Sequence, residues 1–265
     1  MSTDYLTPVL TGRTLVGANP VSKLFAAAVI TLALMSSIDW VSAVVVLACE
    51  VALMPLLGIS IPGLFRRIWP LLIAALLGAY GTALLAEKTG EVLLQVGPVL
   101  FTEGSVVAGI AVGLRALALA LPGIFLVLTT DPTDLADALA QKLRMPHRFV
   151  LGALASLRLV GLLVEQWESL GLARHARGVG SDRSLVARVR NLLGQSFGLI
   201  VQAIRRATRL ATAMEARGFG GGERTWARES TFSPVDAAVA AVGLLVAVGA
   251  VTAAVLAGTW NFILS

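Results

Sequence analysis

Two tripeptides of identical composition, Ala176-Arg177-Gly178 and Ala216-Arg217-Gly218, stand 40 residues apart. Each closes a long stretch with helical periodicity. An arginine offers a planar fork of donors that pairs bidentately with a carboxylate. A glycine after it ends the helix, and small neighbours let another backbone come close. This is docking chemistry; neither tripeptide carries a nucleophile or a general base. A plainer reading stands beside it. An arginine near a helix C-terminus gains about 0.3–1 kcal/mol from the helix dipole, and the chain is rich in Ala, Arg and Gly. One copy is ordinary by that measure, but a matched pair at two helix ends is better explained by presentation to a partner.

The remaining reactive side chains are few. Glu50 and Arg115 lie inside apolar runs, about 10 and 11 residues from the start of their segments, or roughly 15–17 Å deep at 1.5 Å per residue. An isolated charge at such depth costs about 2.5–3.5 kcal/mol, so the two are expected to pair or to share a polar cavity. A substrate or proton pathway is the alternative. Gly109 and Gly113 form a G-x-x-x-G, which permits close helix approach, either within the chain or against another membrane subunit. His147, His175 and Cys49 lack ligand-spaced partners, so no metal site is expected. Cys49, the single cysteine, reads as a small buried hydrophobe. No G-x-x-x-x-G-K-[ST] phosphate loop is present, and none of the three lysines follows a glycine. The chain is therefore not expected to hydrolyse ATP by itself, to act as an enzyme or to carry a cofactor.

Composition sets the class. Of 265 residues, 57% are hydrophobic and 14% charged, with mean hydropathy +0.83. A soluble domain carries about 25% charged residues, so the bilayer is the expected surrounding. The net charge of +5 does not point to nucleic acid, because no aromatic-rich basic patch or zinc finger accompanies it. Lys and Arg accumulate on the cytoplasmic side of membrane proteins. Residues 1–20 are polar, with Pro8, Gly12, Gly17 and Pro20, and lack a cleavable signal pattern.

A helix needs about 20 mostly apolar residues to cross the hydrocarbon core. Five segments qualify or nearly so: Val21–Ile38, slightly short, then Trp40–Ile59, Trp69–Ala86, Gly104–Thr130 and Val235–Ile263. Asp39 and Trp40 make a tight turn. Ile61–Ile68, with Pro62, Arg66 and Arg67, reads as an interfacial link. Glu87–Glu103, with Gly90, Gly97 and Pro98, reads as a loop. Arg13, Lys23, Arg66, Arg67 and a block at 131–230 holding 15 Lys/Arg against 9 Asp/Glu fall on one side. That bias places the N-terminus and residues 131–230 in the cytoplasm. The expected organisation is a cytoplasmic segment at 1–20, four spans within 21–130, a cytoplasmic or interfacial module at 131–230, and a last span at 235–263.

The 131–230 block is helical. Asp131-Pro132-Thr133 opens a helix running to Leu143. A second helix runs from about Phe149 to Arg177, and its apolar part at Phe149–Val164 could be partly embedded. A third runs from Ser184 to Arg217. On it Leu185, Val189, Leu192, Ile200, Leu210 and Met214 mark an apolar stripe, with Arg188, Gln195, Gln202, Arg205, Arg206 and Arg209 on the other face. Gly218 is placed as its C-terminal cap.

Several stretches, in order, carry a resemblance: Asn19-Pro20-Val21-Ser22-Lys23-Leu24, then Thr129 to Leu139, Arg144 to Phe149, and Met214-Glu215-Ala216-Arg217-Gly218-Phe219 together with Ala176-Arg177-Gly178. Over about Asn19 to Gly220 the chain resembles the transmembrane T component of energy-coupling factor transporters, a group that includes the cobalt-transporter type. The resemblance implies an all-α polytopic membrane protein of about five spans with long cytoplasmic coupling helices. It also implies two partners: two cytoplasmic ABC ATPase subunits or one fused ATPase chain, and a small membrane subunit that captures a vitamin or metal ion. Arg177 and Arg217, with Ala176, Gly178, Ala216 and Gly218, match the signatures that dock into the ATPases. A self-contained secondary transporter using Glu50 and Arg115 is the main rival, and a membrane scaffold without transport is another. No repeat between the halves favours the former.

Overall fold

The structure, a computed structural model, describes residues 17–37, 39–58, 61–96, 99–179, 184–221, 225–226 and 228–260. Arg13, Gly97, Pro98, Gly180 and Gly222 lie outside these residues, as do the side chains of Arg66 and Arg67 and the expected span ends at Ile38, Ile59 and Ile263. The described chain is helical apart from one hairpin: α1 (Pro20–Met35), α2 (Trp40–Leu57), α3 (Ile61–Leu85), β1 (Val92–Val96), β2 (Val99–Thr102), α4 (Glu103–Thr129), α5 (Pro132–Gln141), α6 (His147–Ala176), α7 (Leu185–Ala216) and α8 (Pro234–Leu256).

Short polar residues start these helices, because each first turn leaves backbone N–H groups without partners. The Asn19 side chain accepts from the Val21 N–H at 3.0 Å. Asp39 accepts from the Ser42 N–H at 2.7 Å, so the tight turn before Trp40 is a helix cap. Thr102 and Ser105 cap α4 reciprocally. Asp131 accepts from the Thr133 N–H at 2.6 Å and opens α5 one residue before Thr133.

Two compact units divide the chain, one built from residues 8–135 and 231–265 and the other chiefly from residues 136–230. In the first, Ile30 and Leu34 of α1, Val46 of α2, Ala118 of α4 and Ala250 of α8 form one buried cluster. Met54 of α2, Leu64 of α3 and Leu121 of α4 form another. The two ends of this unit are tied by Asp236 of α8, whose Oδ1 accepts from the Asn19 N–H and, at 3.1 Å, from the Ser22 hydroxyl. The Asn19 amide donates to the Thr231 carbonyl at 3.2 Å.

Two expectations are corrected. Ile61–Ile68 is not a link: it is the start of α3, which continues through Pro70 to Leu85. Pro62 lies in its first turn, where no N–H is needed and the fixed φ favours a helix. The loop at Glu87–Glu103 contains an antiparallel hairpin, with Leu94 opposite Phe101 and Gln95 opposite Leu100. The signal was a pair of apolar, β-prone runs flanking Gly97-Pro98. Among the described residues, five helices are long and apolar enough to cross a membrane: α2, residues Ile68–Leu85 of α3, α4, α6 and α8. At 16 residues α1 rises only about 24 Å and falls short of that length, although it packs in the core of the bundle.

Candidate functional site

Ala176 and Ala216 are the last residues of α6 and α7, Arg177 and Arg217 are the C-caps, and Gly178 and Gly218 follow. The two ends have the same geometry. Arg177 has φ −86° and ψ 9°, and Arg217 has φ −89° and ψ 8°. Gly178 and Gly218 are left-handed, with φ +75° and +73°. The Val179 N–H donates to the Arg174 carbonyl at 3.0 Å and the Gly178 N–H to the His175 carbonyl at 2.9 Å. At the other end the Phe219 N–H donates to Met214 and the Gly218 N–H to Glu215, both at 2.9 Å. Both are Schellman caps, which satisfy carbonyls the helix leaves open and require a residue free to take positive φ. The backbone role of the tripeptides is therefore real. It does not use the arginine side chains: all six residues are exposed, and neither guanidinium has a partner among the described residues.

The helices that carry these ends run antiparallel. Near the first tip, Arg174 Nε donates to Asn191 Oδ1 at 3.0 Å, and Gln195 Nε2 donates to the Trp167 carbonyl at 2.8 Å. At the far end Arg148 of α6 donates to the Gly220 carbonyl beyond α7. Arg177 thus sits near the start of α7 and Arg217 at its end. The 32 residues of α7 span about 48 Å at 1.5 Å each, which sets the scale of their separation.

Periodicity puts Gln195 on the polar face of α7, and the structure turns that part of the face toward α6. Gln195 is buried between the helices, against Gly171. The face of α7 that meets α6 includes Asn191, Gly194, Gln195 and Gly198. Small and polar residues permit this because glycines allow a close approach that a side-chain amide then fills and satisfies. The apolar stripe therefore stays uncovered: Leu185, Val189, Leu192 and Ile200 are all more than half exposed.

Glu50 and Arg115 are not brought together as a pair. Arg115 Nη1 donates to the Ser37 carbonyl at 2.5 Å, and the carboxylate whose charge acts on it is Asp39. Glu50 is 3% exposed, and neither of its oxygens has a hydrogen-bond partner among the described residues. The reason is unequal helix length. The turn after the short α1 meets α4 at Arg115, 12 residues from its start, whereas Glu50 lies 11 residues past Asp39, about 16 Å further along α2.

Gly109 and Gly113 both face α3. A β-carbon on Gly109 would stand 2.5 Å from the Ala79 carbonyl oxygen and 3.0 Å from Ala83 Cβ, and one on Gly113 would stand 3.0 Å from Ala79 Cβ. Their use lies inside this chain, where small residues on both helices let the backbones approach. Among the described residues no group of three or more His, Cys, Asp or Glu is placed to hold a metal ion.

Residues 12–226 match the cobalt transport protein family, CbiQ. An energy-coupling factor transporter transmembrane protein of Bacillus subtilis (strain 168) is 36% identical over 186 residues, covering 67% of this chain and 68% of the relative. One of Exiguobacterium sibiricum is 37% identical over 175 residues, covering 63% and 66%. One of Thermosediminibacter oceani is 33% identical over 211 residues, covering 76% and 78%. The match spans about two thirds of the length of the first two relatives. The family match includes both arginine-tipped helix ends and the helices before them. This chain, an all-α multi-pass membrane protein, belongs to the CbiQ family and is the transmembrane component of an energy-coupling factor transporter.

Proposed function

We propose that the chain transmits ATP-driven closure of cytoplasmic ABC ATPases, two subunits or one fused chain, to a substrate-capturing membrane subunit, for uptake of a vitamin or a metal ion. The observation that carries this reading is the matched pair of exposed arginine caps, with closely similar backbone geometry and guanidiniums unpartnered among the described residues, at opposite ends of the α6–α7 pair. A span of about 48 Å suits two docking grooves on separate ATPase domains better than one. Each arginine fork pairs with a groove carboxylate, and Ala176, Gly178, Ala216 and Gly218 keep the approach free of bulk.

In this reading the N-terminus and residues 131–230 are cytoplasmic, as the Lys/Arg bias argues. When ATP closes the ATPases, Arg177 and Arg217 are drawn together. The helices move as rigid bodies, with the glycines after each tip absorbing the change. The uncovered apolar face of α7, with Leu185, Val189, Leu192 and Ile200, is turned to the bilayer and to the substrate-capturing subunit, which tilts or releases its cargo.

Copurification with ABC ATPases tests this. Wild type is expected to hold the ATPases through size-exclusion chromatography, and Arg177→Glu combined with Arg217→Glu is expected to lose them while remaining folded. Equal retention by wild type and double variant, or no ATPase bound by wild type, overturns the reading.

A further inference from the structure

Between α1, α2, α4 and α8 of the transmembrane unit lies a cavity of about 280 Å³. Its walls are almost wholly apolar, and include Ile30, Leu53, Phe125, Val239 and Val246. Three polar residues line it. Lys23 donates from Nζ to the Thr129 carbonyl at 2.8 Å and lies in the field of Asp236 and Asp134. The Thr129 hydroxyl donates to the Phe125 carbonyl at 2.7 Å. The third is Glu50, 97% buried and with both carboxylate oxygens unpartnered among the described residues.

A carboxyl buried in apolar surroundings stays ionised only beside a donor or a counter-charge, and among the described residues none bonds to Glu50. The volume lies just below the range of about 300–1,000 Å³ typical for drug-sized ligands, which suits a shorter molecule. We propose that this cavity is a binding site for a short alkylammonium amphiphile, its hydrocarbon body against the apolar walls and its ammonium donating to Glu50. An ammonium brings three donors and no acceptor, the complement of an acceptor-only carboxylate. The site is separate from the arginine caps and does not depend on what they bind.

The test uses the full chain in nanodiscs of zwitterionic lipid, with empty nanodiscs as the blank. Titration calorimetry compares n-octylammonium with 1-octanol, which shares the chain but not the charge. Wild type is expected to bind octylammonium saturably and at least about tenfold more tightly than octanol, as one charge-assisted contact allows. Affinity is expected to rise about fourfold per methylene from butyl to octyl. Glu50→Gln is expected to abolish the preference for the ammonium, and Leu53→Trp, which fills the cavity and leaves the carboxylate in the chain, to weaken both probes. No saturable binding, octanol binding as tightly as octylammonium, or an unchanged preference in Glu50→Gln overturns the proposal. If Glu50→Gln does not fold, Leu53→Trp decides: lost binding supports the site and unchanged binding overturns it.

Discussion

At Gly178 and Gly218 the backbone alone selects the residue. A β-carbon at either position meets nothing within 4 Å, so no packing forbids alanine; the positive φ does. Gly218→Ala is expected to destabilise the cap by about 1–2 kcal/mol, and Gly218→Asn by less, since asparagine tolerates the left-handed region. The measurement is local hydrogen exchange at the Phe219 amide, which should quicken in the alanine variant and stay near wild type in the asparagine variant. The adjoining arginine has no such constraint. Its backbone closes the helix as many residues could, and only its exposed side chain distinguishes it, which is why the proposed docking role is assigned to Arg177 and Arg217.

At the scale of elements, helix length decides which side chains meet. The 16 residues of α1 and the 27 of α4 cannot both reach the same two levels, so the α1–α2 turn meets α4 partway along. Arg115 thereby finds a carbonyl and the Asp39 carboxylate at that turn, and Glu50 is left in the cavity. Helix contact is equally specific. Gly109 lies against the Ala79 carbonyl, whereas a β-carbon on Gly78 meets nothing within 4 Å. Gly109→Ala is expected to cost about 1–3 kcal/mol through overpacking, and Gly78→Ala to be neutral or slightly stabilising because alanine favours the helix. Thermal unfolding of the two variants in the same detergent separates them, with the melting temperature lowered only in the first.

Across the whole molecule, the transmembrane unit is closed by residues far apart in the chain. Asp236 joins α8 to α1 over more than 200 positions, with the 136–230 unit inserted between. Asp236→Ala leaves the Asn19 N–H without this acceptor, while the Ser22 hydroxyl keeps the Asn19 carbonyl at 2.7 Å. A buried donor left unsatisfied costs about 1–3 kcal/mol, so the unit should open more often. Cys49, the single cysteine, is half-buried on α2 of the same unit and serves as reporter. Its labelling by a maleimide is expected to quicken in Asp236→Ala. An unchanged rate together with an unchanged melting temperature would show that the tie contributes little.

The sequence by itself determined the membrane class and the helix ends, because both rest on local chemistry. Apolar runs measure against a bilayer, Ser184 and Asp131 start helices, and Gly178 and Gly218 stop them. It also singled out the two arginines, since an Ala-Arg-Gly at the end of each of two helices is visible without coordinates. Contacts between helices were not legible in this way. Periodicity showed that α7 has an apolar stripe, but the tertiary structure turned Gln195, rather than that stripe, toward α6. Residue counts placed Glu50 and Arg115 at one depth, but helices of different length placed them at different levels. The physical reason is the same in each case. A helix end is decided by hydrogen bonds within a few residues, whereas a partner across the bundle is decided by where whole helices stop and how closely their backbones can approach.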